Sequence, residues 1–395
     1  MNASRPRLPD VLCLSHLRWD FVFQRPQHLL TRWADEARVF YVEEPLFDGA
    51  ARPRLEVKAR GPRLNVIVPH LPRAASGARA IAAQRELVGA LAEDEGLDDF
   101  VLWLYTPMAL PFAGDLDPSV VLYECMDELS AFRGAPPDLV EMERALFAEA
   151  DVVTTGGHAL YRAKRDLHPN VHAFPSSVDK AHFARARDRV GQREPVDQAP
   201  IPRVRLGFYG VIDERMDLDL VARIAARRPD WHLVFLGPTA KIDEATLPRA
   251  PNLHFLGPKR YGELPDYLAG WDVALLPFAK NESTRYISPT KTPEYLAAGK
   301  PVVSTSIEDV VEPYGRLSLV HIADGADEFV AAIERGLAED ARARVAAVDA
   351  FLADKSWDAT FEALSRVVCE ARRPCGAPAW NDAEPCGRAR RASAR

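Results

Sequence analysis

Short segments rich in β-branched and aromatic residues alternate with helical segments through most of this 395-residue chain. In the first half the strand-like segments are, in order, 11–15, 39–44, 64–69, 101–105, 120–125 and 151–155. Helical patterns lie between several of them, for example at 80–93 and 138–150. This alternation is typical of βα units, in which helices cover a parallel sheet. The sequence therefore predicts an α/β fold.

The alternation is interrupted once, by the segment RVGQREPVDQAPIPR at 189–203, which contains three prolines and mixed charges. It then restarts at residue 204. We therefore predict two Rossmann-like domains facing a central cleft, the usual place for a ligand in such folds. The predicted parts are an N-terminal domain (1–183), a linker (184–203), a C-terminal domain (204–355), a helix (356–373) and a disordered tail rich in Pro, Ala, Gly and Arg (374–395).

Composition narrows the class of ligand. The 50 basic and 57 acidic side chains give a formal charge of −7, which argues against a nucleic-acid-binding protein. No run approaches the roughly 18 to 20 apolar residues that cross a bilayer, and the polar start MNASRPRLPD does not resemble a signal peptide. The five cysteines form no C-x-x-C pair, so we expect neither a disulfide nor a zinc site. We expect a cytoplasmic protein that binds small molecules or glycans.

The segment SPTKTPEYLAAGKPVVST, at 288–305, predicts a loop, a helix and a short buried strand. Thr292 suits the N-cap, Pro293 the first helical position, and Gly299 the end of the helix. A helix N-terminus with Lys291 beside it favours an anion, and phosphate is the usual one. Glu294 would be unfavourable next to a phosphate unless it binds a hydroxyl group elsewhere on the same ligand. Alternatively, Glu294 only complements the helix dipole.

Three segments resemble, in order, landmarks of the GT-B glycosyltransferases of the large retaining family, glycosyl transferases group 1. They are AFPSSVDKAHF at 173–183, LGFYGVIDER at 206–215 and the segment 271–304, which contains the helix that begins near Glu294. SHLRWDFVFQRPQHLL and YECMDEL resemble a bacterial branch of the family that includes a teichuronic acid biosynthesis glycosyltransferase. The resemblance extends over residues 10–373.

This resemblance implies that a nucleotide-diphosphate sugar binds mainly to the C-terminal domain and an acceptor mainly to the N-terminal domain, without a metal or other cofactor. Glu294 would then bind the ribose hydroxyls, and Thr290 and Lys291 would face the diphosphate. The implied donor-binding residues are Gly210, Arg215, Arg285, Ser288, Thr290, Lys291, Thr292 and Glu294. The sequence departs from the family at Tyr286, where a second Glu is common, and at Val211, where an Arg is common.

Candidate acceptor-binding and catalytic residues follow the strands of the first half. His16 and Asp127 end two strands at the carboxyl edge of the predicted sheet, where such folds bind ligands. The predicted catalytic residues are His16, Asp127, Arg215 and Lys291, and the predicted acceptor-binding residues are His16, Trp19, Arg25, Gln27 and Gly157. Simpler alternatives stay open for the four predicted catalytic residues. In these alternatives His16 is a hydrogen-bonded loop histidine, Asp127 caps a helix, and Arg215 and Lys291 are surface residues. Phe21 and Phe23 are expected to be core anchors.

The resemblance implies that the protein transfers a sugar from a UDP-linked donor to a cell-envelope glycan or a lipid-linked acceptor. The rivals are a sugar-nucleotide epimerase of the same fold and a non-catalytic nucleotide-sugar-binding protein. No Asp-x-Asp motif follows a strand in the second half, so we expect no metal site. The segment 51–63 carries five basic residues and one acid, and we expect either a solvated loop or peripheral contact with the cytoplasmic membrane face.

Overall fold

The computed structural model describes residues 7–188 and 194–373. The predicted tail at 374–395 and the residues 189–193 of the predicted linker lie outside this part of the chain. Two parallel sheets are present, one in each half, and the cleft lies between them. The predicted α/β architecture of two Rossmann-like domains is confirmed.

The N-terminal sheet has eight strands in the order β3-β4-β2-β1-β5-β6-β7-β8, and all neighbours are parallel except β3 and β4. Its strands are β1 Asp10–Leu14, β2 Val39–Val42, β3 Arg54–Ala59, β4 Leu64–His70, β5 Phe100–Leu104, β6 Val120–Cys125, β7 Val152–Thr155 and β8 Val171–Ala173. In β1, Cys13 lies opposite Tyr41 on one side and Trp103 on the other. The central strands are buried on both faces, which explains their continuous apolar sequences.

The C-terminal sheet has six parallel strands in the order β11-β10-β9-β12-β13-β14. They are β9 Arg205–Tyr209, β10 His232–Leu236, β11 Leu253–Phe255, β12 Val273–Leu276, β13 Val302–Ser304 and β14 His321–Ile322. The order reverses direction at β9, and the chain leaves both β9 and β10 through glycines with positive φ, Gly210 and Gly237. Such a switch point is where open α/β sheets bind ligands.

Helices cover both sheets. They are α1 Arg25–Ala34, α2 Gly77–Asp94, α3 Leu110–Ala113, α4 Leu139–Glu149, α5 His158–Lys164, α6 Lys180–Ala184, α7 Leu218–Arg227, α8 Leu264–Ala269, α9 Lys291–Ala297, α10 Glu308–Val310, α11 Ala326–Ala338, α12 Ala341–Phe351 and α13 Trp357–Glu370. No helix in the described ranges is long and apolar enough to span a bilayer. Helix α13 follows the C-terminal domain in sequence but packs on the N-terminal domain, where Trp357 joins the core around Trp33.

Three predicted boundaries need correction. The segment 51–63 is not simply a loop, because it contains β3, the antiparallel edge strand. Residues 194–203 of the predicted linker pack on the C-terminal domain, since the side-chain oxygen of the buried Gln198 accepts a hydrogen bond from Trp271 Nε1 at 2.9 Å. Helix α9 begins at Lys291, with Thr290 at the N-cap, so Thr292 lies inside the first turn.

Candidate functional site

A cavity of about 180 Å³ occupies the cleft between the two domains. Residues of both domains line it. The N-terminal wall includes Phe21 to Arg25, Met126, Asp127, Gly156 and Ser176, and the C-terminal wall includes Tyr209, Gly210, Val211, Arg215, Tyr261, Ser288 to Lys291 and Glu294. The two sheets therefore contribute different chemical groups to one space.

The turn after β9 brings Lys291 into the cleft. Gly210 has a φ of +134°, and a Cβ atom on it would lie 2.2 Å from Lys291 Cε. Glycine is needed here for its backbone conformation and because the lysine side chain lies directly against it. The Lys291 ammonium lies 5.7 Å from the centre of the Phe208 ring and has no ion-pair partner among the described residues. Burial, together with the nearby Arg215 charge, lowers the pKa of Lys291 to about 8.

Glu294 lies one turn further along α9 and is 5 % exposed. Its carboxylate accepts a hydrogen bond from the Tyr209 hydroxyl. The backbone N–H of Tyr209 in turn donates to the Tyr295 hydroxyl at 2.9 Å, which fixes the end of β9 against α9. Burial raises the pKa of Glu294 to about 7. Glu294 is thus a positioned carboxylate that lines the cleft and retains acceptor capacity for a ligand.

The loop before α9 faces the same space. Ser288 and Thr290 line the cavity, and the Ser288 carbonyl accepts a hydrogen bond from Ser176 Oγ of the N-terminal half at 3.0 Å. Thr292 is fully buried and its hydroxyl has no hydrogen-bond partner in the described chain. The Thr292 side chain therefore does not face the cleft, and its backbone N–H donates to the Pro289 carbonyl at 3.1 Å. A contact between Thr292 and the donor stays a prediction.

Arg215 lines the C-terminal wall and is held in place by Asp213. Its Nη2 lies 2.6 Å from Asp213 Oδ2, and its guanidinium lies 5.5 Å from the centre of the Phe132 ring of the N-terminal domain. Asp127 faces it from the opposite wall; burial raises the pKa of Asp127, and the Arg215 charge opposes that shift. The structure therefore brings two of the predicted catalytic residues, Arg215 and Asp127, close to each other across the cleft.

His16 follows β1 beside this group, although it does not line the cleft cavity. Its Nδ1 atom is buried and has no hydrogen-bond partner in the described chain. Burial and the charge of Lys241 lower the pKa of His16 to about 4, so the imidazole is neutral at pH 7. Lys241 was not predicted from the sequence. It belongs to the C-terminal domain, has a φ of +60°, and places its ammonium 4.9 Å from the Phe132 ring centre.

Three of the predicted acceptor-binding residues are structural. Trp19 is 8 % exposed and packs edge-on against Tyr41, with ring centres 4.9 Å apart. The side chain of Gln27 donates to the Trp19 carbonyl at 2.6 Å and accepts from the backbone of Gln24. In the structure these polar and aromatic groups hold their own loop, so acceptor binding by Trp19 and Gln27 stays a prediction that no contact here supports. Arg25 lines the cavity but is 1 % exposed and paired with Glu124 at 2.9 Å.

Gly157 is needed for a contact between the domains and not for an acceptor. The Asp309 carboxylate of the C-terminal domain accepts hydrogen bonds from the backbone N–H groups of His158 and Ala159, both at 2.8 Å. A Cβ atom on Gly157 would lie 2.1 Å from Asp309 Oδ2. The Arg285 side chain, predicted to bind the donor, is 60 % exposed and does not line the cavity, so the structure does not bring it to the other predicted donor-binding residues.

Phe21 and Phe23 line the cleft and are 48 % and 45 % exposed, so their prediction as core anchors is wrong. Phe23 stacks on Tyr261 of the C-terminal domain, with ring centres 4.5 Å apart. His182 also stacks on Tyr261, with ring centres 4.4 Å apart. Sequence reasoning missed Tyr261, and no local pattern around it would have indicated that it lines the cleft.

Comparison with known proteins adds independent findings. Residues 205–339 match the family model described as Glycosyl transferases group 1. A curated relative from Bacillus subtilis (strain 168), which carries the name teichuronic acid biosynthesis glycosyltransferase TuaH, is 30 % identical over 139 residues. That alignment spans 34 % of this chain and 35 % of the relative, which is about a third of the relative's length.

Solved structures share the whole fold at low sequence identity. A UDP-forming α,α-trehalose-phosphate synthase from Burkholderia xenovorans superposes with a TM-score of 0.67 at 13 % identity, over 92 % of this chain and 99 % of the other. The sucrose-phosphate synthase of Thermosynechococcus elongatus gives a TM-score of 0.65 at 13 % identity, over 92 % and 98 %. The catalytic domain of starch synthase IV from Arabidopsis thaliana, bound to ADP and acarbose, gives 0.61 at 10 % identity, over 92 % and 99 %.

Proposed function

We propose that this chain, which has the GT-B fold and carries a Glycosyl transferases group 1 domain at residues 205–339, transfers a sugar from UDP to a hydroxyl group of an acceptor. The observation that carries the proposal is the cleft-facing pair of Glu294 and Lys291, a buried carboxylate and a cation without an ion-pair partner in the described chain, on one turn of α9. Among the relatives, the names of TuaH and of the UDP-forming synthase support it.

The donor fits the C-terminal wall in the following way. The Glu294 carboxylate accepts hydrogen bonds from the ribose hydroxyls, and the Lys291 ammonium pairs with the diphosphate. Arg215, held by Asp213, adds a second cation near Asp127. Fixed cations stabilise the negative charge that develops on the leaving diphosphate, so they lower the barrier to departure. Retention of the anomeric configuration is expected from the family.

We also propose that these cations replace a metal ion. No group of three or more His, Cys, Asp or Glu side chains in the described ranges is placed to hold a metal. Cleavage of the donor should therefore persist in excess EDTA. If activity were lost in EDTA and restored by Mn²⁺, the diphosphate charge would be met by a metal and the assignment of Lys291 and Arg215 would be wrong.

The acceptor is proposed to be a cell-envelope glycan or a lipid-linked sugar at the cytoplasmic face of the membrane, in line with the name of TuaH. The edge strand β3 exposes Val57 to 58 %, and the nearby Phe47 is 46 % exposed. Arg52 and Arg54 beside them are exposed and have no ion-pair partner in the described chain. Each basic residue near an anionic surface contributes about 1 kcal/mol of binding.

Sedimentation with vesicles tests this membrane contact. The protein should bind vesicles that contain phosphatidylglycerol, and the variant with both Arg52→Ala and Arg54→Ala should bind them several-fold more weakly. Vesicles of phosphatidylcholine alone serve as the control. Equal binding of the wild type to both vesicle types would contradict an electrostatic membrane contact.

Calorimetric titration of UDP into Glu294→Gln tests the donor site. A hydrogen bond to a charged group contributes roughly 1.5 to 3 kcal/mol, so UDP affinity should fall by about tenfold or more. Glu282→Gln is the matched control, because that acid is 77 % exposed on the same domain. If Glu294 only complements the helix dipole, the variant will melt at a lower temperature and bind UDP as the wild type does.

Incubation with a panel of UDP-sugars tests the activity. Slow release of UDP marks a transferase that hydrolyses its donor when no acceptor is present. Conversion of one UDP-sugar into another would indicate the epimerase, and binding without any conversion would indicate a non-catalytic protein.

A further inference from the structure

A second cavity, of about 330 Å³, lies within the N-terminal domain. It is bounded by the carboxyl ends of β1 and β2, by the segment that follows β5, and by α2 and α3. Its lining residues include Ser15, Glu44, Phe47, Thr106, Met108 and Phe112. Its volume falls within the range of roughly 300 to 1,000 Å³ that is usual for small-molecule sites.

We propose that this cavity is the acceptor site and that its acceptor is an uncharged glycoside with an apolar face or tail, not a phosphorylated sugar. The inference rests on the proposed transferase function and adds the location and the chemical class of the second substrate. The loop at 19–27, where the sequence predicted the acceptor, has largely used its polar groups for its own structure.

The cavity lies beside the reacting groups of the cleft. Ser15, which lines it, directly precedes His16, and Thr106 follows Tyr105, whose backbone is hydrogen-bonded to His16. The charge of Lys241, which belongs to the C-terminal domain, acts to lower the pKa of His16, of Glu44 and of Asp127. An acceptor in the cavity would therefore lie next to the segment that carries His16, on the side of the N-terminal domain that Lys241 of the other domain approaches.

The charges at the cavity select against an anion. Glu43 and Glu44 line it, and none of its lining residues is Lys, Arg or His. Glu43 is already engaged, because Arg18 pairs with it at 2.9 Å and the Trp19 backbone donates to it at 2.8 Å. Glu44 has no ion-pair partner within salt-bridge distance in the described chain, and burial raises the pKa of Glu44. Arg18 and Lys241 lie near enough to oppose that shift, but neither lines the cavity, so a phosphate here would meet the Glu44 carboxylate and no cation, which is unfavourable.

The same groups suit a sugar. Carboxylates accept hydrogen bonds from hydroxyl groups, and the Glu44 carboxylate is available for that purpose. The Thr106 hydroxyl, which accepts from the Met108 backbone at 3.3 Å, can still donate one hydrogen bond. The remaining walls are apolar, with Phe47, Met108 and Phe112 among them. Such walls pack against the C–H face of a hexose ring or against an alkyl chain.

The transfer balances as follows. The oxygen of the acceptor hydroxyl forms a bond to the anomeric carbon of the donor sugar while the bond from that carbon to the diphosphate oxygen breaks. The electron pair of the broken bond leaves with UDP, and the proton of the acceptor hydroxyl passes to that leaving oxygen.

Calorimetric titrations of hexyl β-D-glucopyranoside and of glucose 6-phosphate, each in the presence of UDP, test the inference. We expect saturable binding of hexyl glucoside and at least tenfold weaker binding of glucose 6-phosphate. Met108→Trp should fill the cavity and weaken hexyl glucoside at least tenfold while UDP affinity stays at the wild-type value. Val140→Trp, on the exposed side of α4, is the matched control and should bind both ligands normally.

Glu44→Lys is the second variant, since that residue is exposed and the change should be tolerated by the fold. It should raise the affinity for glucose 6-phosphate at least tenfold. The proposal is wrong if wild type prefers glucose 6-phosphate, if hexyl glucoside does not saturate, or if Met108→Trp binds it unchanged. Failure of the donor site is seen separately, as a loss of UDP binding by the wild type.

Discussion

On the N-terminal wall of the cleft, the buried Arg25 guanidinium is bound by Glu124 at 2.9 Å and by the Phe174 carbonyl at 2.7 Å. On the C-terminal wall, Lys291 has no ion-pair partner in the described chain, and the Glu294 carboxylate accepts a hydrogen bond from the Tyr209 hydroxyl. A buried charge is costly unless it is paired. Arg25 on the first wall is therefore paired internally, although its Nη2 atom has no hydrogen-bond partner in the described chain, whereas Lys291 on the second wall has no such counter-charge.

This difference separates structural charges from functional ones. Arg25 is as buried as any residue in the cleft, yet its environment is that of an internal ion pair. Lys291 and Glu294 have pKa values shifted towards each other by burial, which is the pattern expected at ligand sites. The predictions below test whether the two walls differ in this way.

The largest effect is expected for Arg25→Met. The change leaves Glu124 buried without its cation, so the free energy of unfolding of the N-terminal domain should fall by about 3 to 5 kcal/mol. The double variant with Arg25→Met and Glu124→Met removes both charges and should recover most of that loss. Urea unfolding followed by tryptophan fluorescence measures both. If Arg25→Met kept its stability but lost sugar transfer, Arg25 would be the acceptor ligand that the sequence predicted.

The next effect is a pH dependence of UDP affinity. Burial raises the pKa of Glu294 to about 7, and a ribose hydroxyl prefers its ionised form, so affinity should rise as pH increases towards 7. Burial lowers the pKa of Lys291 to about 8, and the diphosphate prefers the ammonium, so affinity should fall as pH increases beyond 8. On each side of this pH profile, the acidic limb and the alkaline limb, UDP affinity changes by up to about tenfold per pH unit. Calorimetric titrations from about pH 5.5 to about pH 9.5 measure the profile.

Two variants identify which side chain is responsible for each limb of the pH profile. Glu294→Gln should flatten the acidic limb, and Lys291→Met should flatten the alkaline one. An unchanged profile in both variants would mean that these side chains do not titrate against the nucleotide.

A smaller effect is expected for Asp309→Ala. Asp309 caps the N-terminus of α5 from the opposite domain, and loss of a cap costs roughly 0.5 to 2 kcal/mol. The cleft should then open more often, and UDP should close it again. Small-angle scattering should show a larger radius of gyration for the variant without UDP than for the wild type, and equal values with saturating UDP. Identical profiles in all four samples would exclude closure by this contact.

The smallest effect is expected for Arg162→Ala. Arg162 pairs with Glu308 across the same contact, but both side chains are about half exposed. Exposed pairs contribute roughly 0 to 1 kcal/mol, and salt weakens them further. The scattering profile should match that of the wild type at physiological ionic strength. A change as large as that of Asp309→Ala would show that the surface pair, and not the buried cap, holds the domains together.

The elements that the sequence predicted well are those with local patterns. The continuous apolar runs predicted the buried strands, and the Gly turn after β9 together with the Glu-containing helix located one wall of the cleft. The predicted start of α9 was wrong by one or two residues, because Thr290 and Thr292 are both threonines and suit the N-cap equally well. The edge strand β3 was missed, since its charged residues and exposed Val57 resemble a loop.

The residues that could not be predicted depend on distant parts of the chain. Gly157 is required by Asp309, which lies about 150 residues away in sequence. Trp19 and Phe23 belong to one aromatic loop, but the first faces the core and the second faces Tyr261. A loop lacks the periodicity that would distinguish those directions. Tertiary contacts, not local preference, decide these positions.

The return of α13 to the N-terminal domain has a mechanical consequence. The chain passes between the domains twice, once before α6, whose Phe183 packs in the C-terminal core, and once before α13, and the two passages touch. Lys180 Nζ donates to the carbonyls of Leu352 and Ala353, both at 2.8 Å, and Arg187 forms two hydrogen bonds to Asp349. Two adjacent passages define one hinge axis between the domains. The contacts between them restrain twisting and sliding, so we expect any closure of the cleft to be a rotation about that axis.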